Sequence, residues 1–307
     1  MEAYPNRIGT THMTKSIMKL LCIFSIYVLI VDIGDIVLPK QAWSEYLYDA
    51  LHVIQLMTVV VFIRKHKISK IDLKIGGQKF SIRIAIMSIL IGVLTMIVGS
   101  NLNQLLPSVA AEDTPATTLH SISFAVFAGI FAPIFEEIEF RGLLFNNINR
   151  RKNTAFAVIL SSFMFMILHT GGIMVSAFIV GCISALVFLW TGNLIYSMLI
   201  HFGGNGPLSL IVLLSLIFSA DEEVDNSEVT EASNGTSLTA ETIVSDFLLI
   251  ALIVLMLLYI YKKRKINESE VKADISSKNI DRSALPYYVF YFVMCLGSTI
   301  VQLIWFR

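Results

Sequence analysis

The 307-residue chain is poor in charged side chains: Asp, Glu, Lys and Arg make up 15% of it, and hydrophobic residues make up 55%. Soluble domains carry about 25% charged residues, so this composition excludes an ordinary soluble domain. Cysteine is scarce too, with three residues, each inside an apolar block, and no Cys-x-x-Cys pair. That excludes a disulfide framework and a cysteine-based metal site. The sequence also lacks an internal repeat and a glycine-rich nucleotide-binding fingerprint.

Long apolar blocks fill most of the chain. A bilayer core about 30 Å thick requires about 20 apolar residues per helix, and helices satisfy their own backbone in lipid whereas open strands do not. We therefore predict an all-α fold, a polytopic transmembrane helical bundle with about eight or nine spans. The apolar blocks, of which the fifth is the shortest, are Ile17 to Leu38, Leu47 to Ile63, Ile82 to Leu106, Ile122 to Phe145, Thr154 to His169, Ile173 to Trp190, Leu194 to Phe218, Ile243 to Tyr261, and Tyr287 to Phe306.

The charges outside these blocks separate by sign, although the net charge is zero. With nine spans, the basic clusters at 64–74, 150–152 and 262–265 all fall on one side of the membrane. The acidic segments at 112–113 and 221–241 fall on the other side. The positive-inside rule makes the basic side cytoplasmic. We therefore expect a multi-pass plasma-membrane protein with a cytoplasmic N-terminus, and the compact loops favour a bacterial membrane.

The fourth block contains charges that an apolar span does not need. A charged side chain at mid-bilayer costs at least about 2.5–3.5 kcal/mol, so it faces a partner or a cavity. Glu137 and Arg141 are four residues apart with the acid first, which favours a structural ion pair. Glu136 points about 100° away from Glu137 and lacks that partner, so it is the candidate reactive carboxylate. Glu139 lies one turn from Glu136 and either shares its cavity or reaches a hydrated edge.

Two later blocks each add polar residues. Phe165 and His169 are four residues apart and share one helix face, although a histidine in this position alone fits a packing role equally well. His201 and Asn205 also share a face, and the two glycines between them allow a close approach of another backbone or a substrate. We expect Glu136, His169, His201 and Asn205 to meet in one cavity, because all four lie at similar depths on three spans.

These motifs, Glu136-Glu137-x-x-x-Arg141, Phe165-x-x-x-His169 and His201-x-x-x-Asn205, resemble the signature of a known family. The family is the CAAX protease and bacteriocin-processing family of intramembrane peptidases, also called Abi. The resemblance covers roughly residues 122–210. Together with the apolar blocks and the charge pattern, it divides the chain into N-terminal transmembrane helices (1–120), a catalytic core of this type (121–218), an acidic extracytoplasmic loop (219–242) and C-terminal transmembrane helices (243–307).

The resemblance implies an intramembrane endopeptidase that cleaves a membrane-associated peptide or protein. Glu136 and His169 would activate a water, and His201 and Asn205 would hold the oxyanion. Glu137 and Arg141, together with Phe165, would brace the site. Glu136, His169 and His201 could instead bind a catalytic zinc ion. The absence of a His-Glu-x-x-His motif favours a metal-free mechanism. Both possibilities stay open at this point: no cofactor, or zinc.

Two other functions are compatible with the same residues. A membrane protein that binds a peptide toxin and confers immunity needs no cleavage. A proton-coupled transporter could use Glu136 and the histidines as a relay, but such a fold usually has pseudo-symmetric halves, and the sequence shows none. The expected partners are the lipid bilayer and a membrane-associated peptide or protein substrate, and not nucleic acid. No feature of the sequence indicates a prenyl-binding pocket.

Overall fold

The computed structural model describes residues 8, 11–37, 42–76, 80–103, 118–169, 173–218, 239–263 and 283–305. The predicted loop at 219–242 lies almost wholly outside these residues. Within them the chain forms nine helices and no strand, which confirms the predicted all-α fold. The helices are α1 (Thr11–Val37), α2 (Ala42–Lys65), α3 (Ile82–Asn103), α4 (118–151), α5 (Thr154–Met166), α6 (Met174–Thr191), α7 (Leu194–Phe218), α8 (Ala240–Lys262) and α9 (Leu285–Trp305).

Each helix corresponds to one predicted apolar block. Six of them, in the described part of the chain, are long and apolar enough to cross a membrane. These segments are His12–Val31, Ile82–Leu102, Thr118–Arg151, Met174–Thr191, Leu194–Phe218 and Glu241–Lys262. Shorter apolar helices occur at Thr154–Met166 and Leu285–Ile300. The chain is therefore a multi-pass membrane protein, as predicted.

Helix α4 is not a uniform α-helix. Two π-helical segments, Phe127–Phe131 and Ile138–Phe145, interrupt it on either side of the α-helical turn Ala132–Glu137. A π segment leaves backbone groups with altered hydrogen bonding and often occurs at functional sites. The reactive-carboxylate candidate Glu136 thus lies between two such segments.

Helix α5 ends earlier than the fifth apolar block predicted. Its last helical residue is Met166, and the amide of His169 donates to the carbonyl oxygen of Met166 at 2.9 Å. That bond spans three residues, so the chain tightens into a turn of the 3₁₀ type before the glycines at 171–172. The boundary expected at His169 was therefore too late, and His169 projects from a turn.

The buried side chains form two clusters. The first joins α1, α4, α5 and α9 through residues such as Phe24, Phe140, Phe165 and Tyr291. The second joins α3, α6, α7 and α8 through Ile91, Val187, Ile200 and Ile260. Helices α3 and α7 cross in backbone contact: a side chain at Gly92 would collide with the Ile200 carbonyl, and one at Gly203 with the Ile89 carbonyl. This crossing positions the next residue after Ile200, which is His201.

Candidate active site

One carboxylate oxygen of Glu136 faces two histidines. Its Oε2 atom is 3.8 Å from Nε2 of His169 and 3.8 Å from Nε2 of His201. The two histidine side chains differ in exposure, at 22% for His169 and 5% for His201. The structure therefore brings together three residues that lie on α4, after α5 and on α7, and that the sequence placed in one cavity.

The ring of His169 is oriented by its own chain. Its Nδ1 atom is 2.9 Å from the carbonyl oxygen of Phe165. A carbonyl oxygen only accepts hydrogen bonds, so Nδ1–H donates and the Nε2 atom of the neutral ring carries a lone pair. That lone pair is on the side of Glu136. The Phe165 ring lies against the imidazole, with ring centroids 4.5 Å apart.

The ring of His201 is oriented by a second carboxylate. Its Nδ1 atom is 3.3 Å from Oε1 of Glu137, and the same oxygen is 2.9 Å from the Nη1 atom of Arg141. Glu137 and Arg141 are both fully buried, and the Arg141 guanidinium lies 4.4 Å from the centre of the Phe165 ring. Glu137 thus contacts Arg141, as the four-residue spacing predicted, and also a histidine, which the spacing did not predict.

The amide of Asn205 is held by the first π segment of α4. Its Nδ2 atom donates to the carbonyl oxygen of Ala128 at 3.1 Å. An amide nitrogen carries two hydrogens, so one remains for another acceptor. The contact links α7 to α4 close to the carboxylates and sets the position of that second hydrogen.

A small cavity adjoins these residues. Its volume is about 40 Å³. Four of the residues singled out from the sequence line it, namely Phe165, His169, His201 and Asn205, and Gly204 lines it as well. Glu136, which we expected in the same cavity, is not among the lining residues. The remaining lining residues are Met96, Ile173, Ser176, Ala177 and Val180. The cavity is therefore apolar on the α3 and α6 side and polar at the histidines.

Glu139 does not take the second of the two positions considered from the sequence, a hydrated edge. It is fully buried, and both of its carboxylate oxygens lack a hydrogen-bond partner among the described residues. A hydrated edge is therefore wrong for this side chain. Glu139, like Glu136, is absent from the lining of the cavity beside His169 and His201.

The three residues considered as zinc ligands do not fit a metal site as placed. No group of three His, Cys, Asp or Glu side chains in the described part of the chain has an arrangement that could hold a metal ion. Zn–N and Zn–O bonds of about 2.1 Å put neighbouring ligand atoms roughly 3.3 Å apart in a tetrahedron. The two separations from Glu136 are 3.8 Å. We therefore derive no step through a metal.

A second polar cluster joins α2 to the start of α4, and sequence reasoning missed it. The Ser123 hydroxyl donates to Oδ2 of Asp49 at 2.7 Å, and Nδ1 of His120 is 3.4 Å from Oδ1 of Asp49. The His52 ring stacks on Phe127 with centroids 4.2 Å apart. The sequence did contain a feature that could have predicted this cluster. An Asp and two His lie within or beside apolar blocks, and such residues need partners there.

Comparison with known proteins adds the family. Residues 118–206 match a family model described as "Rce1-like: Type II CAAX prenyl endopeptidase Rce1-like". The central segment is therefore similar to that of CAAX-type endopeptidases. The match confirms the resemblance drawn from the three motifs, and it covers 89 of the 307 residues, including all seven site residues. No curated protein and no solved structure matches the chain.

Proposed function

We propose that the protein is an intramembrane endopeptidase in which Glu136 and His169 activate a water for attack on a peptide bond. The observation that carries this proposal is the position of Glu136 Oε2, 3.8 Å from the Nε2 atoms of both histidines. Each of these atoms can exchange a proton with a water in hydrogen-bond reach. The family match, at the level of CAAX-type endopeptidases, supports the same reaction class.

The proton moves in a closed sequence. The water gives a proton to Glu136, and its oxygen forms a bond with the carbonyl carbon of the substrate. The carbonyl electron pair moves onto its oxygen, which becomes an oxyanion. When the intermediate collapses, the C–N bond breaks and the proton held at Glu136 passes to the leaving amine. His169 accepts at Nε2, because its Nδ1–H donates to the Phe165 carbonyl, and so it orients the attacking water.

His201 and Asn205 are the proposed oxyanion donors. The Nδ1–H of His201 is directed to Glu137, so Nε2 carries a hydrogen only when the ring is an imidazolium. Two carboxylates, Glu136 and Glu137, flank this ring. Asn205 supplies its second amide hydrogen.

The test compares two glutamates of the same helix. Wild type, Glu136→Gln, His169→Ala and Glu139→Gln would be reconstituted in vesicles with a library of membrane-spanning peptides, and products identified by mass spectrometry. We expect Glu136→Gln and His169→Ala to lose at least about 10²-fold in rate, the usual scale of acid–base catalysis. Glu139→Gln should stay within a few-fold of wild type, because its carboxylate is fully buried and makes no hydrogen bond to any described residue.

The same samples also decide between the alternatives. Metal analysis of the active wild type should find no zinc in proportion to protein; zinc that is lost in His169→Ala together with activity would overturn the metal-free mechanism. If no variant differs from wild type, the polar cluster is not catalytic, and a binding protein for a peptide is the better interpretation.

A further inference from the structure

The connection between α2 and α3 exposes cations and an isoleucine side by side. Residues 64–76 contain one acidic side chain, Asp72, and five basic ones, which are Arg64, Lys65, Lys67, Lys70 and Lys74. Four of the basic side chains are exposed, and Lys74 is half-buried. Ile71 is 86% exposed, the largest value for a large hydrophobic residue in the described part of the chain. This isoleucine therefore lies in contact with whatever surrounds a cationic surface.

We propose that this connection docks on anionic lipid headgroups of the surrounding bilayer. The exposed basic side chains contact the headgroup phosphates, and Ile71 inserts at the boundary between the headgroups and the acyl chains. Lysine and arginine close to an anionic leaflet are attracted to it. An apolar side chain on a surface-bound segment adds to that attraction, because it leaves water. Neither contact depends on the proposed peptidase reaction.

The acid of this segment is turned away from the surface. Oδ2 of Asp72 accepts from the Ser69 amide at 2.9 Å and from the Ser69 hydroxyl at 2.7 Å. The Asp72 amide donates back to Oγ of Ser69 at 3.2 Å, the reciprocal pattern of a capping box. Asp72 is buried, at 3% exposure. The outer surface of the connection is therefore cationic, because its carboxylate is bound on the inside.

The connection is fixed on the helix bundle. Ile68 and Leu73, on either side of Ile71, are buried in the cluster that joins α1, α4, α5 and α9. Nδ2 of Asn146, in α4, donates to the carbonyl oxygen of Asp72 at 3.1 Å. Two further bonds join the segment to the start of α7 and the turn before it: Leu194 to the Lys74 carbonyl oxygen and Gly76 to Oδ1 of Asn193, each at 3.1 Å. The fold thus buries the neighbouring apolar side chains and holds Ile71 outside.

The position of the connection favours lipid over a soluble partner. Ile82 begins α3, which is one of the segments long and apolar enough to cross a membrane. Phe80 and Ile82 are themselves 55% and 64% exposed. Residues 64–76 therefore lie where the chain enters the bilayer, next to the headgroup layer. An acidic soluble protein would match the cations, but lipid matches both the cations and Ile71.

The first measurement is lipid binding by the full chain in neutral detergent. Phosphatidylglycerol or phosphatidylcholine would be titrated, and native mass spectrometry would give the apparent Kd of the first lipid bound. We expect the wild type to bind phosphatidylglycerol more tightly. Lys65→Gln with Lys70→Gln should raise that Kd at least about fivefold, the effect of about one cation near an anionic surface. Lys262→Gln with Lys263→Gln is the matched control, because it removes two exposed cations at the end of α8.

The second measurement locates position 71 in a bilayer. The full chain with photoreactive benzoylphenylalanine at this position would be illuminated in vesicles of phosphatidylcholine and phosphatidylglycerol, and adducts identified by mass spectrometry. We expect lipid adducts on the peptide that contains position 71, with phosphatidylglycerol enriched over its share in the vesicle. The Lys65→Gln, Lys70→Gln background should remove that enrichment.

Four outcomes would overturn the lipid site. These are equal Kd values of the wild type for the two lipids, equal effects of the two double variants, displacement of phosphatidylglycerol by soluble glycerol phosphate, and no lipid adduct at position 71. The third outcome would indicate a site for free anions, and the fourth would favour an acidic soluble partner. Neither measurement uses peptide cleavage, so a failure of the proposed peptidase function would leave both results unchanged.

Discussion

Nδ1 of His201 lies 3.3 Å from Oε1 of Glu137, 64 residues earlier in the chain. The carboxylate that pairs with Arg141 therefore also sets the ring orientation of a histidine on another helix. This relationship makes Glu137 more than a charge-neutralising partner. It fixes which nitrogen of His201 faces Glu136, and hence which nitrogen is available to a substrate.

Glu137→Gln should damage both stability and activity. Gln keeps the shape but leaves the buried Arg141 guanidinium without its counter-charge, and breaking a buried pair in this way costs about 3–5 kcal/mol. The double variant Glu137→Gln with Arg141→Met removes the orphaned charge and should recover most of the stability. It should not recover activity, because His201 still lacks the negative charge beside its Nδ1 atom. Thermal unfolding in detergent and peptide cleavage measure the two effects; full recovery of activity in the double variant would contradict the role given to Glu137.

Phe165 should act mainly through its neighbours. Its ring lies 4.4 Å from the Arg141 guanidinium and 4.5 Å from the His169 ring. Phe165→Ala should destabilise the protein by about 3–5 kcal/mol, the usual range for a buried phenylalanine. Phe165→Leu keeps most of the side-chain volume but removes the planar ring that packs on Arg141 and His169. We therefore expect this variant to fold, with a decrease in kcat that is larger than any change in KM. Equal kcat in Phe165→Leu and wild type would show that the ring supports folding alone.

The close crossing of α3 and α7 should depend on glycine at position 92, where a side chain would not fit. A methyl group at Gly92 would meet the backbone of Ile200, which cannot rotate away. We expect Gly92→Ala to cost at least about 1–3 kcal/mol, as overpacking does, and to reduce activity because His201 follows Ile200. Gly297→Ala in α9 is the control, since nothing lies within 4 Å of the added atom. It should be neutral or stabilise by about 0.5–1 kcal/mol, as measured by thermal unfolding.

The polar cluster on α2 should hold that helix against α4. Asp49→Asn removes the charge that attracts His120, and we expect faster hydrogen exchange in α2, measured by mass spectrometry of peptides from 49–65. Peptide cleavage should change by less than about threefold, the spread that separate sites usually show. Ser16→Ala is a suitable control, because among the described residues the Ser16 hydroxyl donates to the carbonyl oxygen of His12, one turn earlier in the same helix. Unchanged exchange in Asp49→Asn would contradict the clamping role of this cluster.

The sequence predicted the helices well because each span is a long apolar block. The proximity of Glu136, His169 and His201 was also predictable, since charged or titratable groups in such blocks require a polar partner or a cavity. The contact between Glu137 and His201 was not, because ring orientation depends on tertiary packing and not on spacing. The π segments of α4 were not predicted either. One of them contains Glu139, whose burial the α-helical spacing left undecided. The early end of α5 escaped notice because the apolar block continues past Met166.

The measurement that tests the central claim most directly is oxygen transfer from water to product. Wild type, Glu136→Gln and Glu139→Gln would cleave one membrane peptide in heavy-oxygen water, and mass spectrometry would follow the new C-terminal carboxylate. The account predicts one heavy oxygen in that carboxylate at similar rates for wild type and Glu139→Gln, and no product for a folded Glu136→Gln. Labelled product from Glu136→Gln at the wild-type rate would contradict the assignment of Glu136 as the base that activates water.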